Sequence, residues 1–386
     1  MFKNSRKLKL GEVCSFSTGD GRKSNGGSYP IYGGNGIMGY TDDSNNSNCI
    51  IIGRVGAYCG NVYYEKGKCW ITDNAITLTS NEYIRFLYYL LKTLNLPARR
   101  IGTSQPLITQ TILKNIDVIL PDIEEQKAIA DVLSSFDDKI ELNNKIIKNL
   151  EDQAQSLYKQ WFVDFEFPNE EGKPYKSSGG KFKDSELGLI PEEWRLSSID
   201  DFVQVNKRGI SPLYSERHDT PVINQKCIRD SLIDINEITF NDDSKMYSPE
   251  IELRFMDTLV NSMGVGTLGR ISPYILKIKA VPHSCVTLIR NEYYPCFTYL
   301  TIKSLEERIT QMGTGTTGQT SLNNKSLGAL KILVPDKLIL KKTEDSIINN
   351  YKEIALLVLE NKKLEETRDY LLPKLMSGEI KVTDIK

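Results

Sequence analysis

The sequence predicts an α+β protein built twice on one plan, with two mixed domains, each followed by a long helix, and the two helices pairing as an intramolecular antiparallel coiled coil. Three observations carry this. The chain repeats internally: GTSQPLITQTILKNIDVILPD (102–122) and TTGQTSLNNKSLGALKILVPD (316–336) align at one constant offset, pairing Gln105 with Gln319, Leu113 with Leu327, Pro121 with Pro335 and Asp122 with Asp336. Two apolar ladders of 4-3-4-3 spacing follow these segments. Short apolar runs broken by Gly, Lys and Asn fill the earlier part of each half.

The first domain is assigned to residues 1–122. Within it, CIIIGRVGAYCGNVYYEKGKCWITDNAITLTSN supplies strand-length runs at 49–52, 62–64 and 75–78, and EYIRFLYYLLKTL (82–94) reads as a buried helix. YGGNGIMGY contains G-x-G-x-x-G at Gly34, Gly36 and Gly39. A dinucleotide site would need a helix to open there, because the pyrophosphate sits on a helix N-terminus. The stretch that follows, TDDSNNSN, competes with helix through its own side chains, so a glycine-rich loop between strands is expected instead.

The first long helix is assigned to 123–165, with a ladder of Ile129, Leu133, Phe136, Ile140, Asn143, Ile147, Leu150, Ala154, Leu157 and Trp161. Residues 166–191, rich in Gly, Pro and charge, read as a linker. The second domain spans 192–336. It repeats the first, with TLTSNEY (77–83) meeting TLIRNEY (287–293), Leu10 set against Leu196, and extra residues before Thr287. The second helix and a C-terminal tail take 337–386, with a ladder of Ile347, Asn350, Ile354, Leu357, Asn361, Leu364, Arg368, Leu371 and Leu375. Flanking positions are charged, so each helix has a single apolar stripe that must be buried, and the other helix is the simplest partner. Asn143 and Asn361 fall at different rungs, either setting register as buried amides or lying at wet edges.

The 386 residues suit two domains, and 40% apolar content suffices to fold them. No apolar run reaches the length of a membrane span and the N-terminus has no apolar leader, so a cytoplasmic protein without membrane contact is expected. Seven cysteines without a C-x-x-C suggest free thiols and no metal site. Net charge is −1, but residues 1–110 hold 13 Lys/Arg against 7 Asp/Glu. That excess suggests a phosphate-facing surface.

The inter-strand loops collect the residue types that read bases and phosphates: Arg22, Lys23, Asn25, Asn35, Tyr40, Arg54, Tyr58, Asn61, Asn74, Arg99, Arg100 and Gln105, then Lys207, Arg208, Asn224, Gln225, Lys226, Arg270 and Gln319. Arg is matched to guanine, and Asn and Gln to adenine. Catalytic constellations are not found. His218 and His283 have no metal-ligand or triad partner nearby in sequence, and no P-loop is present.

YPIYGGNGIMGY, WITDNAI, LPDIEEQKAIADVLSSFDDKIELNNKI, WFVDFEFPNEEGKPYKSSGGK and LGLIPEEW together resemble the specificity subunits of Type I restriction-modification enzymes. The resemblance implies two target recognition domains, each reading one half of a split double-stranded DNA site. The coiled coil would act as a ruler that docks two modification (methyltransferase) subunits, which restriction subunits join. It also implies that this chain is not catalytic and binds no cofactor, S-adenosylmethionine, ATP and Mg being used by the partners. The second helix shows DKLILKK where the first has an EEQ signature, which leaves that partner contact less well defined.

Overall fold

Glycine and asparagine turns hold the first half of the chain to short strands, and the computed structural model describes residues 2, 4–102, 106–217, 219–313 and 321–384. The strands are β1 (Ser5–Lys9), β2 (Cys14–Thr18), β3 (Tyr29–Gly33), β4 (Gly36–Thr41), β5 (Asn46–Gly53), β6 (Val62–Ile71), β7 (Ala75–Ser80) and β8 (Asp117–Pro121). Six of them form one sheet in the order β2-β7-β5-β6-β3-β4, and β1 pairs with β8. Successive side chains on β5 point to opposite faces. Ile50 and Ile52 join one core with Phe86, Leu87 and Leu90 of α2 (Ile84–Thr93), while Cys49 and Ile51 join a second with Cys69, Ile71 and Tyr32. A strand buried on both faces reads as the unbroken run CIII.

The G-x-G-x-x-G stretch is the β3–β4 turn, and edge strand β4 follows where a dinucleotide site would need a helix.

Contact density divides the chain into two units, 1–142 with 360–386 and 143–359. These cut across the chain-order assignment, since each long helix contributes to both. The long helices are α4 (Ile123–Tyr158) and α9 (Lys337–Ser377). Helix α4 stops short of the expected residue 165 and finishes in a π-turn at Lys159–Val163.

In the first unit, Ile129, Ala130 and Leu133 of α4 share a core with Leu375 and Met376 of α9, and Leu371 packs against it. Arg368 bridges Asp137, and Lys139 meets Glu360 at 3.6 Å. Positions rising along α4 thus meet positions falling along α9, so within this unit the segments run antiparallel. Tyr89 Oη donates to Asp137, Arg85 pairs with Asp138 at 2.8 Å, and Tyr83 N donates to Gln126 Oε1 at 3.2 Å, which ties α2 to α4.

In the second unit, Ile147 and Ala154 share a core with Ile347, Tyr351, Ile354 and Leu357, while Leu150 and Leu157 pack against it. Asn350 Nδ2 donates to the Leu150 carbonyl at 3.2 Å. Asn143 and Asn361 are both buried. Phe136, Ile140 and Leu364 are half-buried, so no expected ladder position faces open water.

The second unit contains β9 (Phe182–Ser185), β10 (Gly188–Pro191), β11 (Arg195–Ser198), β12 (Val205–Arg208), β13 (Thr220–Ile223), β14 (Ile228–Arg229), β15 (Leu232–Ile233), β16 (Thr239–Asn241), β17 (Thr258–Asn261), β18 (Ile271–Pro273), β19 (Val281–Pro282), β20 (Val286–Arg290) and β21 (Lys331–Val334). Its main sheet runs β12-β20-β17-β18, backed by the buried helix α6 (Pro295–Ser304). Glu344 of α9 accepts from Cys296 N and Phe297 N at 3.0 and 2.8 Å, placing a carboxylate at the positive end of α6.

The repeat is visible in pairing. Lys9 pairs with Asp117 and Ser198 with Lys331, so the counterpart of Leu10 is Ile199. The sequence match of Leu10 to Leu196 is three residues out of register. Both Leu10 and Ile199 begin a short helical turn and are fully buried, which fixes the correspondence.

The expected linker, 166–191, is largely exposed, but its aromatic residues anchor it. Phe167 stacks between Tyr175 at 4.5 Å and Trp194 at 4.7 Å, and Phe162 lies 5.6 Å from Trp194. Its turn residues masked the aromatic area that makes this packing favourable.

Glu151 of α4 lies among Tyr299, Tyr351 and Lys303, and its Oε1 is buried with no hydrogen-bond partner among the described residues. Burial raises its pKa to about 7, with Lys303 opposing the shift and Asp152 and Asp230 adding to it. A raised folded-state pKa gives stability that is present below the unfolded value and lost as pH rises through about 7. Glu151→Gln should therefore gain stability at pH 8 relative to the parent and flatten the change in urea midpoint between pH 5 and 8. Equal pH dependence in both proteins would mean that the carboxylate is solvated.

Candidate nucleic-acid interface

The geometry of the first unit starts from the loop that leaves β5. Gly56 and Gly60 have φ of +81° and +90°. A Cβ on Gly60 would come within 2.7 Å of Pro97 N, so no other residue fits without shifting the backbone. The loop is held from three sides. Arg54 N donates to Asn74 O at 2.9 Å, Gly53 N to Asn61 O at 2.9 Å, and Gly56 N to Pro106 O at 3.0 Å. A Cβ on Gly34 would sit 3.3 Å from Val55 O and 3.4 Å from Asn74 O, so the β3–β4 turn rests on the same loop. Leu107 joins it through a bridge to Val55, and Ile101 bridges Leu107 in turn.

Asn35, Arg54, Tyr58, Asn61, Asn74, Arg99 and Arg100 are therefore carried by loops that touch one another. Asn35, Tyr58, Asn74, Arg99 and Arg100 are exposed. Arg54 Nη1 donates to Asp73 O at 3.2 Å, and Asn61 Nδ2 to Tyr63 Oη at 3.3 Å. Gln105 lies outside the described residues.

Arg22, Lys23, Asn25 and Tyr40 form a separate group at the other end of the β3–β4 hairpin. Lys23 Nζ lies 2.8 Å from Asp43 and 4.6 Å from the Trp70 ring centroid, and Gly26 N donates to Tyr40 O at 2.8 Å.

The second unit repeats the loop frame with other side chains. Ser262 N donates to Cys285 O and Asn261 N to Arg270 O, each at 2.8 Å, and Leu322 N donates to Ser262 O at 2.9 Å, as Ile108 N does to Arg54 O at 3.0 Å. Several sequence candidates serve this frame. Arg208 donates to Asn324 Oδ1 at 3.2 Å and to Leu322 O. Asn224 is buried, donates to Glu237 O at 2.9 Å and accepts from Lys226 N at 2.8 Å. Lys207 pairs with Glu250, and Arg270 Nη2 donates to Gly266 O at 3.2 Å. Gln225 Oε1 accepts from the Cys285 thiol at 2.6 Å, and Lys226 is exposed. Gln319 and His218 lie outside the described residues.

Sequence reasoning missed a polar chain in which Tyr214 Oη lies 3.3 Å from His283 Nε2 and His283 Nδ1 lies 2.8 Å from Cys285 Sγ. Burial lowers the His283 pKa. Its members come from separate loops, and no local spacing announced them. Also unannounced were Ile37 and Met38, apolar residues left in solvent on β4. Their only signal was two large hydrophobes inside a glycine-rich turn. Among the described residues no cluster of three or more potential metal ligands occurs, and no helix is long and apolar enough to cross a membrane.

Two units with one backbone plan and different loop side chains define a binding protein of duplicated design. Residues 3–152 match the family model for the Type I restriction modification DNA specificity domain. The chain is 30% identical over 323 residues to the Type I restriction enzyme MjaIX specificity subunit of Methanocaldococcus jannaschii, covering 78% of this chain and 70% of that one. It is 26% identical over 367 residues to the HindI specificity subunit of Haemophilus influenzae, covering 79% and 76%. The crystal structure of a Type-I restriction-modification system S subunit from M. genitalium shares the fold over 96% of both chains, with a TM-score of 0.59 at 18% identity. The chain belongs to the specificity subunits of Type I restriction enzymes.

The bonding separates frame residues from free ones. Arg208→Ala leaves Leu322 O and Asn324 short of a donor and should destabilise the chain by about 1–3 kcal/mol in urea unfolding. Lys226→Ala, which removes an exposed side chain, should leave the midpoint within about 0.5 kcal/mol of the parent.

Proposed function

We propose that each unit carries one target recognition domain, 1–122 or 192–336, that reads one half of a bipartite DNA site through its loop end, and that α4 and α9 pair as a ruler setting the unread spacer. The observation that carries this reading is the recurrence of one hydrogen-bond frame beneath two different sets of loop side chains. A constant backbone frame presents variable polar groups, as two independent half-site readers require. On this reading, in the first unit the exposed Arg99 and Arg100 supply phosphate contacts and the exposed Asn35 and Asn74 reach base edges.

Half-sites read from one face of the duplex lie about one helical turn, roughly 34–36 Å, apart. Helices of 36 and 41 residues span about 54 and 61 Å at 1.5 Å per residue, long enough to set such a spacing. The same helices dock two methyltransferase subunits, and restriction subunits complete the nuclease. Catalysis, with S-adenosylmethionine, ATP and Mg, belongs to those cytoplasmic partners, and this chain supplies sequence choice. The antiparallel run of the two helix segments in the first unit supports the ruler.

Co-expression with a methyltransferase partner, followed by mapping of methylated adenines, tests the reading. Inserting four residues in each long helix, about 6 Å, should lengthen the spacer by about one or two base pairs with both half-sites unchanged. An unchanged spacer would count against the ruler. Replacing residues 1–115 by another recognition domain should change one half-site alone. Affinity should fall as salt rises, and Arg99→Ala with Arg100→Ala should reduce the slope of log K against log salt by about 2. DNA affinity that ignores salt would favour a protein adaptor instead.

A further inference from the structure

Each unit carries one side-chain amide at the same point of its loop frame, supplied from a different loop. Strand β3 pairs in parallel with β6 as β13 does with β19, and Thr72 N donates to Tyr32 O as His283 N does to Ile223 O, each at 2.9 Å. Two residues further along each strand, Gly34 therefore corresponds to Gln225 and Asn74 to Cys285. The backbone agrees, since Arg54 N donates to Asn74 O and Ser262 N to Cys285 O. In the first unit a Cβ on Gly34 would lie 3.4 Å from Asn74 O, and the amide is that of Asn74, which is exposed. In the second unit Gln225 occupies the glycine position, and its Oε1 accepts from the Cys285 thiol at 2.6 Å.

The bond decides what the amide can read. An amide with both arms free presents an acceptor beside a donor and matches adenine, whose major-groove edge carries N7 and the N6 amino group. Gln225 is not in that state. Cys285 is buried, so the carbonyl that faces it points into the domain and the NH2 on the other arm of the planar amide is left to reach outward.

The surroundings hold the thiol to this role. Burial raises the Cys285 pKa, which keeps the proton on sulfur. His283 Nδ1 already accepts from Cys285 N at 3.2 Å, which places the ring proton on Nε2, 3.3 Å from Tyr214 Oη. Gln225 Oε1 is then the acceptor for the thiol. Lys226, exposed next to Gln225, adds a second group that only donates, while Lys207, Arg208, Asn224 and Arg270 are all bonded within the frame. A donor-only surface is complementary to an acceptor-only edge, and guanine presents two acceptors there, N7 and O6.

Resting on the DNA-reading role proposed above, we infer that Gln225 selects guanine at one position of the half-site read by the second domain, with Cys285 as the positioning residue that withholds its carbonyl from adenine.

The test uses the full chain co-expressed with its methyltransferase partner and sequencing of the methylated sites. Gln225→Ala should relax one position of the second half-site, a guanine in the parent, and leave the first half-site unchanged. In a synthetic duplex, 7-deazaguanine at that position should weaken binding by the purified parent complex about five-fold or more and should make no difference to Gln225→Ala. Cys285→Ala, which frees the carbonyl, should admit adenine there beside guanine. Cys285→Ser keeps a donor for the carbonyl and should keep guanine alone.

A relaxed position that is not guanine overturns the inference, as does a parent-like consensus in Gln225→Ala. Retention of guanine alone in a folded Cys285→Ala overturns the role of the thiol. Should Cys285→Ala fail to fold, the deazaguanine comparison between parent and Gln225→Ala decides the base assignment. A parent complex without salt-dependent DNA binding removes the reading role itself, and the amide's part in it.

Discussion

The constraint on which the rest depends is that each long helix carries one apolar stripe too long for its own domain to cover. In the first unit Ile129 and Leu133 meet Leu375, and in the second Ile147 and Ala154 meet Ile347 and Ile354. Each core is therefore completed by residues from the far end of the sequence. Burial of that stripe is the driving force, and the polar contacts add direction. Arg368 with Asp137 and Asn350 with the Leu150 carbonyl fix which turn faces which.

Each domain is in turn fastened to the helices through the helix that backs its sheet. Tyr89, Arg85 and Tyr83 attach α2 to α4, and Glu344 attaches α6 to α9. The chemistry differs between the copies while the place of attachment is shared. A phenol and a guanidinium hold one domain through acids on α4, whereas a half-buried carboxylate holds the other through two backbone N–H groups. A rigid attachment of this kind lets a domain's loops vary without moving its base, because the fastening residues lie in the buried region and the variable ones at the loop ends.

The loop ends show why composition alone overcounts a binding surface. Arg208, Asn224 and Arg99 are all residue types that contact nucleic acid. Arg208 and Asn224 satisfy carbonyls that would otherwise be buried unpaired, a cost of the same order as any single contact they could make outside. Arg99 is exposed, and among the described residues it donates to Leu94 O at 3.4 Å. Buried polar groups are claimed by the fold first, and what remains exposed is available for recognition.

The sequence by itself determined the duplication, the two long helices with their ladders, the strand positions at 49–52, 62–64 and 75–78, and the lack of a helix directly after the G-x-G-x-x-G stretch. All of these rest on local periodicity or on residues that align without gaps. Tertiary structure decided what depends on partners distant in sequence. It paired Leu10 with Ile199 instead of Leu196, anchored the segment 166–191 by stacking Phe167 on Trp194, and divided each helix between two units. It also sorted the polar loop residues into those that hold carbonyls and those that face water. Periodicity is written into neighbouring residues, whereas burial and hydrogen bonding depend on which distant segment arrives.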